Sequence, residues 1–441
     1  MSAAIFATGC DMHRMTKDPA PSRVAQPQYS IPTTTPSLPL AKAWYESFQH
    51  PGLNALEQAA LQDNLDIAQA VARLAQANAL ARAARGASRP QVDGVIEGGQ
   101  SWNDGNSDGG GVQGGIAASW DLDIFNRLSN TASARQLEAA AAAADIAAMR
   151  LAISAELAES WFKAAAQQAQ LALLQRQSDT GTRSLELIDM RFQAGLGTRV
   201  DVLQQQSQLA GTQSLIPPTE ANLRVAENRL DVLTGAAPDA VNRVPGDTAL
   251  PDLAALPPLG VPSDLLQARP DLLALQNRLV ASDAQIGAAI ADRLPRVTLS
   301  GALLAGGGSM ADQASILGGL VQPLLDWGQR KAEVTRNKAL YQERLAAYTQ
   351  AYLRAVEQVE NALYQENRQR AYVQRLAVQR ATLAETLAAA EAVYKAGDSD
   401  YLAVLTAMDG LHDVERTLIN QRLNLVLARI AVYRALGGPL G

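Results

Sequence analysis

A long stretch without proline places the strongest limit on how this chain can fold. No proline occurs from Gln91 to Ile216, although the 441-residue chain contains 20 prolines. From about Asn126 to Phe192 the alanine-rich sequence predicts one continuous helix, about 100 Å long at 1.5 Å per residue. Apolar residues recur along it at alternating spacings of four and three, namely Leu151, Ala155, Ala158, Phe162, Ala165, Ala169 and Ala172. Such a pattern is typical of long helices packed side by side rather than of a globular core.

The turn that follows this helix is marked by the letters AGLGT. Gly195 and Gly197 are both able to adopt positive φ there, because glycine is the residue that tolerates that conformation. A return helix is predicted to start near Thr198, which can act as its N-cap. Pro217 and Pro218 are expected to kink or interrupt this return helix.

A glycine-rich segment before the long helix predicts a β-hairpin. The segments PQVDGVIEGGQSW and VQGGIAASWDLDIF alternate in polarity around a turn-rich loop. We expect two strands of about ten residues, each about 34 Å long, which is enough to cross a bilayer when tilted.

The same order of predicted elements recurs after a proline-rich connector. RVTLSGALLAGG and ILGGLVQPLL predict a second hairpin, LDWGQR repeats LDIFNR, and a second proline-free helix is predicted from about Gly328 to Lys395. The two turns align at a constant offset, 396 − 194 = 202. Heptad spacing also recurs on the second helix, at Leu345, Tyr352, Val356, Val359 and Leu363. The sequence therefore predicts an internal duplication, with repeats over 53–240 and 263–437 joined by a connector over 241–262.

The number of predicted strands limits how they can pair. Four strands per chain cannot close a barrel, and open strand edges cannot face lipid. We therefore expect several copies of this mixed α and β chain to share one barrel.

The N-terminus contains the single cysteine of the chain, so no disulfide framework or thiolate metal site is available. Cys10 closes the run AAIFATGC, which resembles a bacterial lipobox. This interpretation makes residues 1–9 a signal peptide remnant and 10–52 an extended segment that carries a covalent lipid on Cys10. The alternative is an unmodified thiol near the terminus.

Several other functions are disfavoured. A net charge of -6 with 19% charged residues gives no basic face for nucleic acid. The three histidines lack zinc-site spacing, and the loop DGNSDGGG lacks the glutamate of a calcium loop. No nucleophile and base form a recognisable constellation, so we expect neither catalysis nor a cofactor other than the lipid.

Taken together, SWDLDIFNR, RFQAGLGTRVDVL and YKAGDSDYLAVLTAMDGLHDVERTLINQRLNLVLARIAVYRALGG resemble the outer membrane factor (TolC/OprM-like) family, in the lipoprotein branch that serves RND-type efflux systems. The resemblance implies a homotrimer with a twelve-stranded β-barrel in the bacterial outer membrane and a long α-helical barrel in the periplasm. It implies passive conduction of substrate received from a periplasmic adaptor and an inner-membrane RND-type transporter.

The resemblance also implies a gate at the two long-helix turns. The second turn would contribute Tyr394, Lys395, Asp398, Asp400, Tyr401 and Leu402, and the first would contribute Arg191, Phe192, Arg199 and Asp201. Leu402 would form an apolar plug ring, held by polar contacts between neighbouring helix ends. Thr406 stands where related sequences have aspartate, so the acidic ring would either be weaker or come from Asp398, Asp400 or Asp409. The second turn is thus predicted to form the plug and the first turn the latch.

Two alternatives stay open. In the same fold, the chain could be the exit duct of a type I protein secretion system. It could also be a non-transporting coiled-coil scaffold, although a scaffold has no use for two hairpins of lipid-crossing length.

Overall fold

The structure is a computed structural model that describes residues 13–16, 18–24, 28–30, 43–103, 106–254, 256, 259–308 and 312–438. The predicted signal segment and Cys10 lie outside these residues. No helix in the described ranges combines the length and the apolarity needed to cross a membrane.

The described elements alternate helices and hairpins, and the two short 3₁₀ helices are Trp44–Phe48 and Pro262–Asp264. The first half contains α1 Pro51–Asp63, α2 Leu65–Gly86, β1 Gln91–Asn103, β2 Asn106–Leu122, α3 Arg127–Gln193, α4 Arg199–Ser214 and α5 Ile216–Leu233. The second half contains α6 Leu265–Ala268, α7 Pro270–Ala291, β3 Arg296–Gly308, β4 Gln313–Val321, α8 Gln329–Ala396 and α9 Tyr401–Ala435.

The two predicted long helices are confirmed as α3, with 67 residues, and α8, with 68 residues. Five of the seven heptad positions predicted on α3 are buried, from Leu151 to Ala165. Ala172 is instead exposed, and Leu173 and Leu174 are buried in its place. A straight α-helix has 3.6 residues per turn, so its buried face drifts away from a strict 3.5-residue repeat.

The first return helix is interrupted where the prolines predict it. α4 ends at Ser214, and α5 begins at Ile216 with proline in its first turn. Proline fits the first turn of a helix, where its missing N–H has no intrahelical acceptor, but it cannot continue a helix from within.

The four strands form one antiparallel sheet in the order β1-β2-β3-β4. Ile116 of β2 lies opposite Leu303 of β3, so the two hairpins pair directly. The strands contain 13, 17, 13 and 9 residues, and three of them are thus longer than the ten predicted. Within the described ranges, the outer edges of β1 and β4 pair with no further strand.

One face of this sheet is apolar over most of the paired region; Gln100, which pairs with Gly110, is a polar residue on the same side. Successive side chains alternate between faces, and directly opposite residues share a face, so the register assigns each residue. We call this side the apolar face; it comprises Val92, Gly94, Ile96, Gly98, Val112, Gly114, Ile116, Ala118, Trp120, Leu122, Val297, Leu299, Gly301, Leu303, Ala305, Ala314, Ile316, Gly318 and Leu320. The opposite face contains polar residues such as Asp93, Glu97, Gln113, Ser119 and Thr298.

By its internal contacts the chain divides into two compact units. The first comprises 1–24, 69–147 and 270–353 and contains the sheet with α7. Its N-terminal segment lies along α7, where the Thr16 N–H donates to Asp283 Oδ2 at 2.7 Å and His13 Nε2 lies 2.9 Å from Asp283 Oδ1. The segment preceding α1 is thus tied by hydrogen bonds to the second half of the chain.

The second unit comprises 25–68, 148–269 and 354–441 and is built around an aromatic core. The Trp44 ring lies 5.6 Å from Tyr433, and Phe48 lies 5.0 Å from Phe162 in edge-to-face contact. All four side chains are almost completely buried. These contacts join the segment before α1 to α3 and α9.

Within the second unit, the proline-rich connector accepts hydrogen bonds from two arginines, one of which forms a buried ion pair. Arg429 donates to Glu366 at 2.6 and 2.8 Å, and their side chains are only 3% and 2% exposed. Arg429 also donates to the Ala254 carbonyl at 2.9 Å, while Arg370 donates to the Leu253 carbonyl at 3.2 Å. Leu253 and Ala254 of the connector are therefore each fixed by a hydrogen bond to an arginine.

Candidate functional site

The turn after α3 is closed by a glycine in the left-handed region. Gly195 has φ +71°, its N–H donates to the Phe192 carbonyl at 3.0 Å, and the Leu196 N–H donates to the Arg191 carbonyl at 2.8 Å. This pair of hydrogen bonds is the Schellman motif, which satisfies the last carbonyls of a helix. Of the two candidate glycines, only Gly195 is in the left-handed region, and Gly197 is not. The reversal is already complete at Gly195.

The turn after α8 has the same geometry. Gly397 has φ +85°, its N–H donates to the Tyr394 carbonyl at 3.1 Å, and the Asp398 N–H donates to the Val393 carbonyl at 3.1 Å. The two glycines stand 397 − 195 = 202 residues apart, which equals the offset between the two turn sequences. Equivalent glycines thus reverse the chain at both sites.

The return helices begin differently. The Asp201 N–H donates to Thr198 Oγ1 at 3.2 Å, and the Thr198 N–H donates to Asp201 Oδ2 at 2.8 Å. This reciprocal capping box confirms Thr198 as the N-cap of α4. Asp400 is the N-cap of α9 but makes no side-chain capping hydrogen bond. The carboxylate of the first turn therefore caps its own helix, whereas that of the second turn lies exposed at the surface.

A small core joins the four helix ends beside these turns. Its buried members are Ile188, Val202, Tyr401, Val404, Leu405 and Met408, with Phe192 and Tyr394 partly buried against them. They come from α3, α4, α8 and α9, so neither turn folds independently of the other. We call this group the tip core.

Tyr401 is the polar centre of the tip core. Its hydroxyl donates to Gln205 Oε1 at 2.7 Å, and Gln205 Nε2 donates to the Gly181 carbonyl at 3.0 Å. Burial raises the pKa of Tyr401 well above its usual value, and the negative charges that Tyr394 and Asp409 can carry raise it further. The phenol therefore stays protonated and can continue to donate at physiological pH.

Arg191 extends this arrangement by stacking on an aromatic ring. Its guanidinium carbon lies 4.6 Å from the centroid of the Tyr394 ring, and that ring lies 5.4 Å from Tyr401. A guanidinium over an aromatic face is held by cation–π attraction. Arg191, Tyr394 and Tyr401 thus form a continuous series of side-chain contacts that links the end of α3 to the start of α9.

The remaining predicted gate residues lie at the surface. Leu402 is 51% exposed although its neighbour Tyr401 is buried. Asp398, Asp400, Lys395 and Arg199 are exposed as well, and Lys395 forms an ion pair with Glu391 at 3.2 Å. The structure of one chain thus brings Arg191, Phe192, Tyr394 and Tyr401 together, and leaves Leu402 and the carboxylates of the second turn outside the tip core.

Two polar contacts of the site were missed in the sequence. One is the Tyr401–Gln205 hydrogen bond, and the other joins Gln208 Nε2 of α4 to Asp409 Oδ1 of α9 at 2.6 Å. Gln205 lies three residues after the buried Val202, a spacing that marks it as core-facing, but nothing local identifies its partner. Asp409 was one of three candidates for an acidic ring, and here it accepts a hydrogen bond within its own chain.

Across the described ranges, no group of three or more histidine, cysteine, aspartate or glutamate side chains could hold a metal ion. The side chains of the tip core can form hydrogen bonds, pack ring against ring and exclude water. Such groups can hold two helix ends together reversibly.

A family model places this chain among known proteins. The model of the outer membrane efflux protein family matches residues 56–236 and 261–438. The chain belongs to that family. It is therefore located in the bacterial outer membrane, and its class is that of channels rather than enzymes.

Individual relatives match over most of their length. Nodulation protein T of Rhizobium leguminosarum bv. trifolii is 30% identical over 399 residues, covering 85% of this chain and 83% of that protein. The pyoverdine export outer membrane protein OpmQ of Pseudomonas aeruginosa is 28% identical over 421 residues, covering 90% and 87%. The solved structure of the outer-membrane channel OprN superimposes with a TM-score of 0.88 at 27% identity, covering 96% of this chain and 99% of that one.

Proposed function

We propose that this chain is the outer membrane channel of a tripartite efflux pump. Three copies would form a twelve-stranded barrel continued by a periplasmic helical barrel. The channel would passively conduct small compounds delivered by a periplasmic adaptor and an inner-membrane RND-type transporter. The apolar face of the sheet is the observation that carries this proposal.

The apolar face matches what a membrane-crossing sheet requires. Its 19 residues include no charged side chain, and the opposite face contains acids and amides. Strands of 9 to 17 residues are sufficient to cross the hydrocarbon core when tilted. The strand edges of β1 and β4 carry backbone groups that lipid cannot satisfy, which favours closure by further copies.

The tip core supports a gate at the far ends of the long helices. Leu402 projects from α9 between the buried Tyr401 and the buried Val404, so three copies could bring it to a common axis. Thr406 is exposed one turn later, and its hydroxyl donates to the Leu402 carbonyl of its own helix at 2.8 Å. We therefore assign the acidic ring to Asp398 and Asp400, because Asp409 is already paired with Gln208.

The latch takes a different form from the one the sequence indicated. Asp201 is used in its own capping box, and Arg199 is exposed. We assign the latch to Arg191 and Gln205, which hold Tyr394 and Tyr401 of the second turn. The first half of the chain still provides the latch and the second half the plug.

The lipid anchor is part of the same proposal. Cys10 lies outside the described residues, and its support is the lipobox-like run that precedes it. The cargo is proposed as a small molecule, which agrees with the export of pyoverdine stated in the name of OpmQ. The name of nodulation protein T states no cargo. The exit duct of a protein secretion system therefore stays the second candidate function.

Two measurements test this function. Purified protein reconstituted in a planar bilayer should give discrete conductance steps that a heat-inactivated sample lacks; a bilayer that stays silent would exclude a channel. Deletion of the gene, in a strain without other channels of this family, should increase sensitivity to small toxic compounds. Unchanged sensitivity, combined with intracellular retention of a normally secreted protein, would favour the secretion duct.

A further inference from the structure

A buried carboxylate on α7 receives its hydrogen bonds from the N-terminal segment. The side chain of Asp283 is only 7% exposed. Within the described ranges its partners are the Thr16 N–H, 2.7 Å from Oδ2, and His13 Nε2, 2.9 Å from Oδ1. Arg278, the only basic residue of α7, is paired with Asp145 of α3 instead. Residues near the N-terminus thus supply the partners that a buried carboxylate requires.

A glycine on the same face of α7 makes room for this contact. Gly287 follows Asp283 by one helical turn. A Cβ atom at position 287 would lie 2.7 Å from Nδ2 of Asn130 on α3 and 3.2 Å from Cδ2 of His13. Any larger residue would therefore push the amide and the imidazole away. Asp283 and Gly287 together form a slot that accepts the His13 ring.

The N-terminal segment contacts both helices that flank the second hairpin. Gln276 of α7 donates to Asp18 Oδ1 at 2.6 Å, and the Ser22 N–H donates to Thr349 Oγ1 of α8 at 3.0 Å. α7 leads into β3, and α8 follows β4. We call the described part of residues 13–24 the strap. The strap contains no helix or strand, so its position depends on these contacts.

The helix before the first hairpin lacks this slot. The helix-ending prolines give an offset of 295 − 90 = 205, which relates Asp283 to Asn78 of α2 and Gly287 to Arg82. α2 therefore has neither the carboxylate nor the glycine. The slot is a feature of the second half of the chain and not of the repeated unit.

We propose that α7 and α8 form a peptide-binding surface for the strap, and that docking of the strap holds together the two helices that flank the second hairpin. Asp283 is the main anchor, because hydrogen bonds to a charged group are stronger than those between neutral groups. Since the strap contacts one helix before β3 and one after β4, its release would loosen both. The docked strap would thus stiffen the second hairpin and leave the first unaffected.

Limited digestion with trypsin measures whether the strap is docked. H13A removes one partner of Asp283, and T16P removes the backbone N–H that forms the other. Cleavage after Arg23, which is distant from both substitutions, should be about tenfold faster or more in H13A/T16P, since a hydrogen bond to a charged group contributes at least that factor. T16A is the matched control, because it keeps the N–H and should be cleaved at the parent rate.

A double-mutant cycle assigns the effect to the carboxylate. D283A should accelerate the cleavage after Arg23 as well, and H13A should add nothing in the D283A background because the contact is already lost. Equal acceleration by H13A in the D283A background and in the parent would overturn Asp283 as the anchor of the strap.

Hydrogen exchange, measured on the detergent-purified full chain, tests the effect on the hairpin. In H13A/T16P the amides of α7, β3 and β4 should exchange faster than in the parent, whereas those of β1 should not change. Faster cleavage after Arg23 with unchanged exchange in β3 and β4 would make the strap a passive cover and overturn the proposal. Equally faster exchange in all four strands would indicate general unfolding and would also contradict it.

Discussion

The hydroxyl of Tyr401 donates a buried hydrogen bond to Gln205, at a distance of 2.7 Å and a separation of 196 residues in the chain. Tyr401 begins α9 directly after the second turn, and Gln205 lies in the second helical turn of α4 after the first. This contact therefore ties the two chain reversals to each other.

Replacement of Tyr401 by phenylalanine should loosen the tip core. The Y401F variant keeps the ring but leaves Gln205 Oε1 buried without its donor, which costs about 1–3 kcal/mol locally. We expect a higher open probability of the isolated channel in planar bilayers. Y394F is the matched control, because stacking with Arg191 and Tyr401 uses the ring of Tyr394. Equal open probability in Y401F and the parent would place the latch elsewhere.

Leu402 should act as the plug. Its replacement by serine removes an exposed apolar side chain without disturbing the buried neighbours, so L402S should increase conductance at unchanged stability. L196S is the control, since Leu196 is 68% exposed in the first turn, which we do not assign to the plug. The same increase in both variants would indicate general loosening of the tip instead of a plug at Leu402.

The ion pair between Glu366 and Arg429 should be important for stability. In E366Q the Arg429 guanidinium stays buried without its counter-charge, a change that typically destabilises a protein by about 3–5 kcal/mol. Denaturant unfolding, followed by circular dichroism, measures this loss. The control E391Q breaks the exposed pair with Lys395, for which less than about 1 kcal/mol is expected. Equal stability of the two variants would refute a special contribution from Glu366.

Glu57 should make the stability depend on pH. Its side chain is fully buried, and burial raises its pKa from 4.5 to about 9, more than the nearby Ser154 hydroxyl lowers it. Between about pH 4.5 and 9 the Glu57 carboxyl is protonated in the folded state and ionised in the unfolded state. The contribution of Glu57 to the free energy of unfolding therefore falls as pH rises through this window.

The E57Q variant removes this titration. We expect its free energy of unfolding to exceed that of the parent by an amount that grows from pH 5 to pH 9, as measured by denaturant unfolding at several pH values. E220Q, at an exposed position of α5, should follow the parent curve. A constant difference between E57Q and the parent across this range would contradict the proposed titration.

Local signals predicted much of this fold. The absence of proline and the heptad spacing located α3 and α8 to within two residues, and alternation identified the strands. Gly195 and Thr198 were predictable because capping depends on residues within one turn of the helix. Gly197 was not, because two glycines were candidates and only the hydrogen-bonding pattern distinguishes them.

Contacts between distant segments could not be predicted in this way. Gln205 with Tyr401, and Glu366 with Arg429, are polar residues at ordinary helical positions, and their sequence gives no indication of a partner 196 or 63 residues away. Their pairing follows from how α3, α4, α8 and α9 pack. The exposed Leu402 was assigned from the family resemblance, and the structure of a single chain leaves its role as a proposal.

In the proposed gate, the hydrogen bond between Tyr401 and Gln205 would contribute only modestly to closure. A neutral hydrogen bond contributes about 1 kcal/mol net, so three equivalent hydrogen bonds would favour the closed population by about 3 kcal/mol, or roughly a hundredfold. A partner protein would need that much preference for the open arrangement to offset these three bonds. Tyr401 also keeps its proton well above neutral pH, so titration of this phenol would not release the three hydrogen bonds, whereas the binding of a partner could.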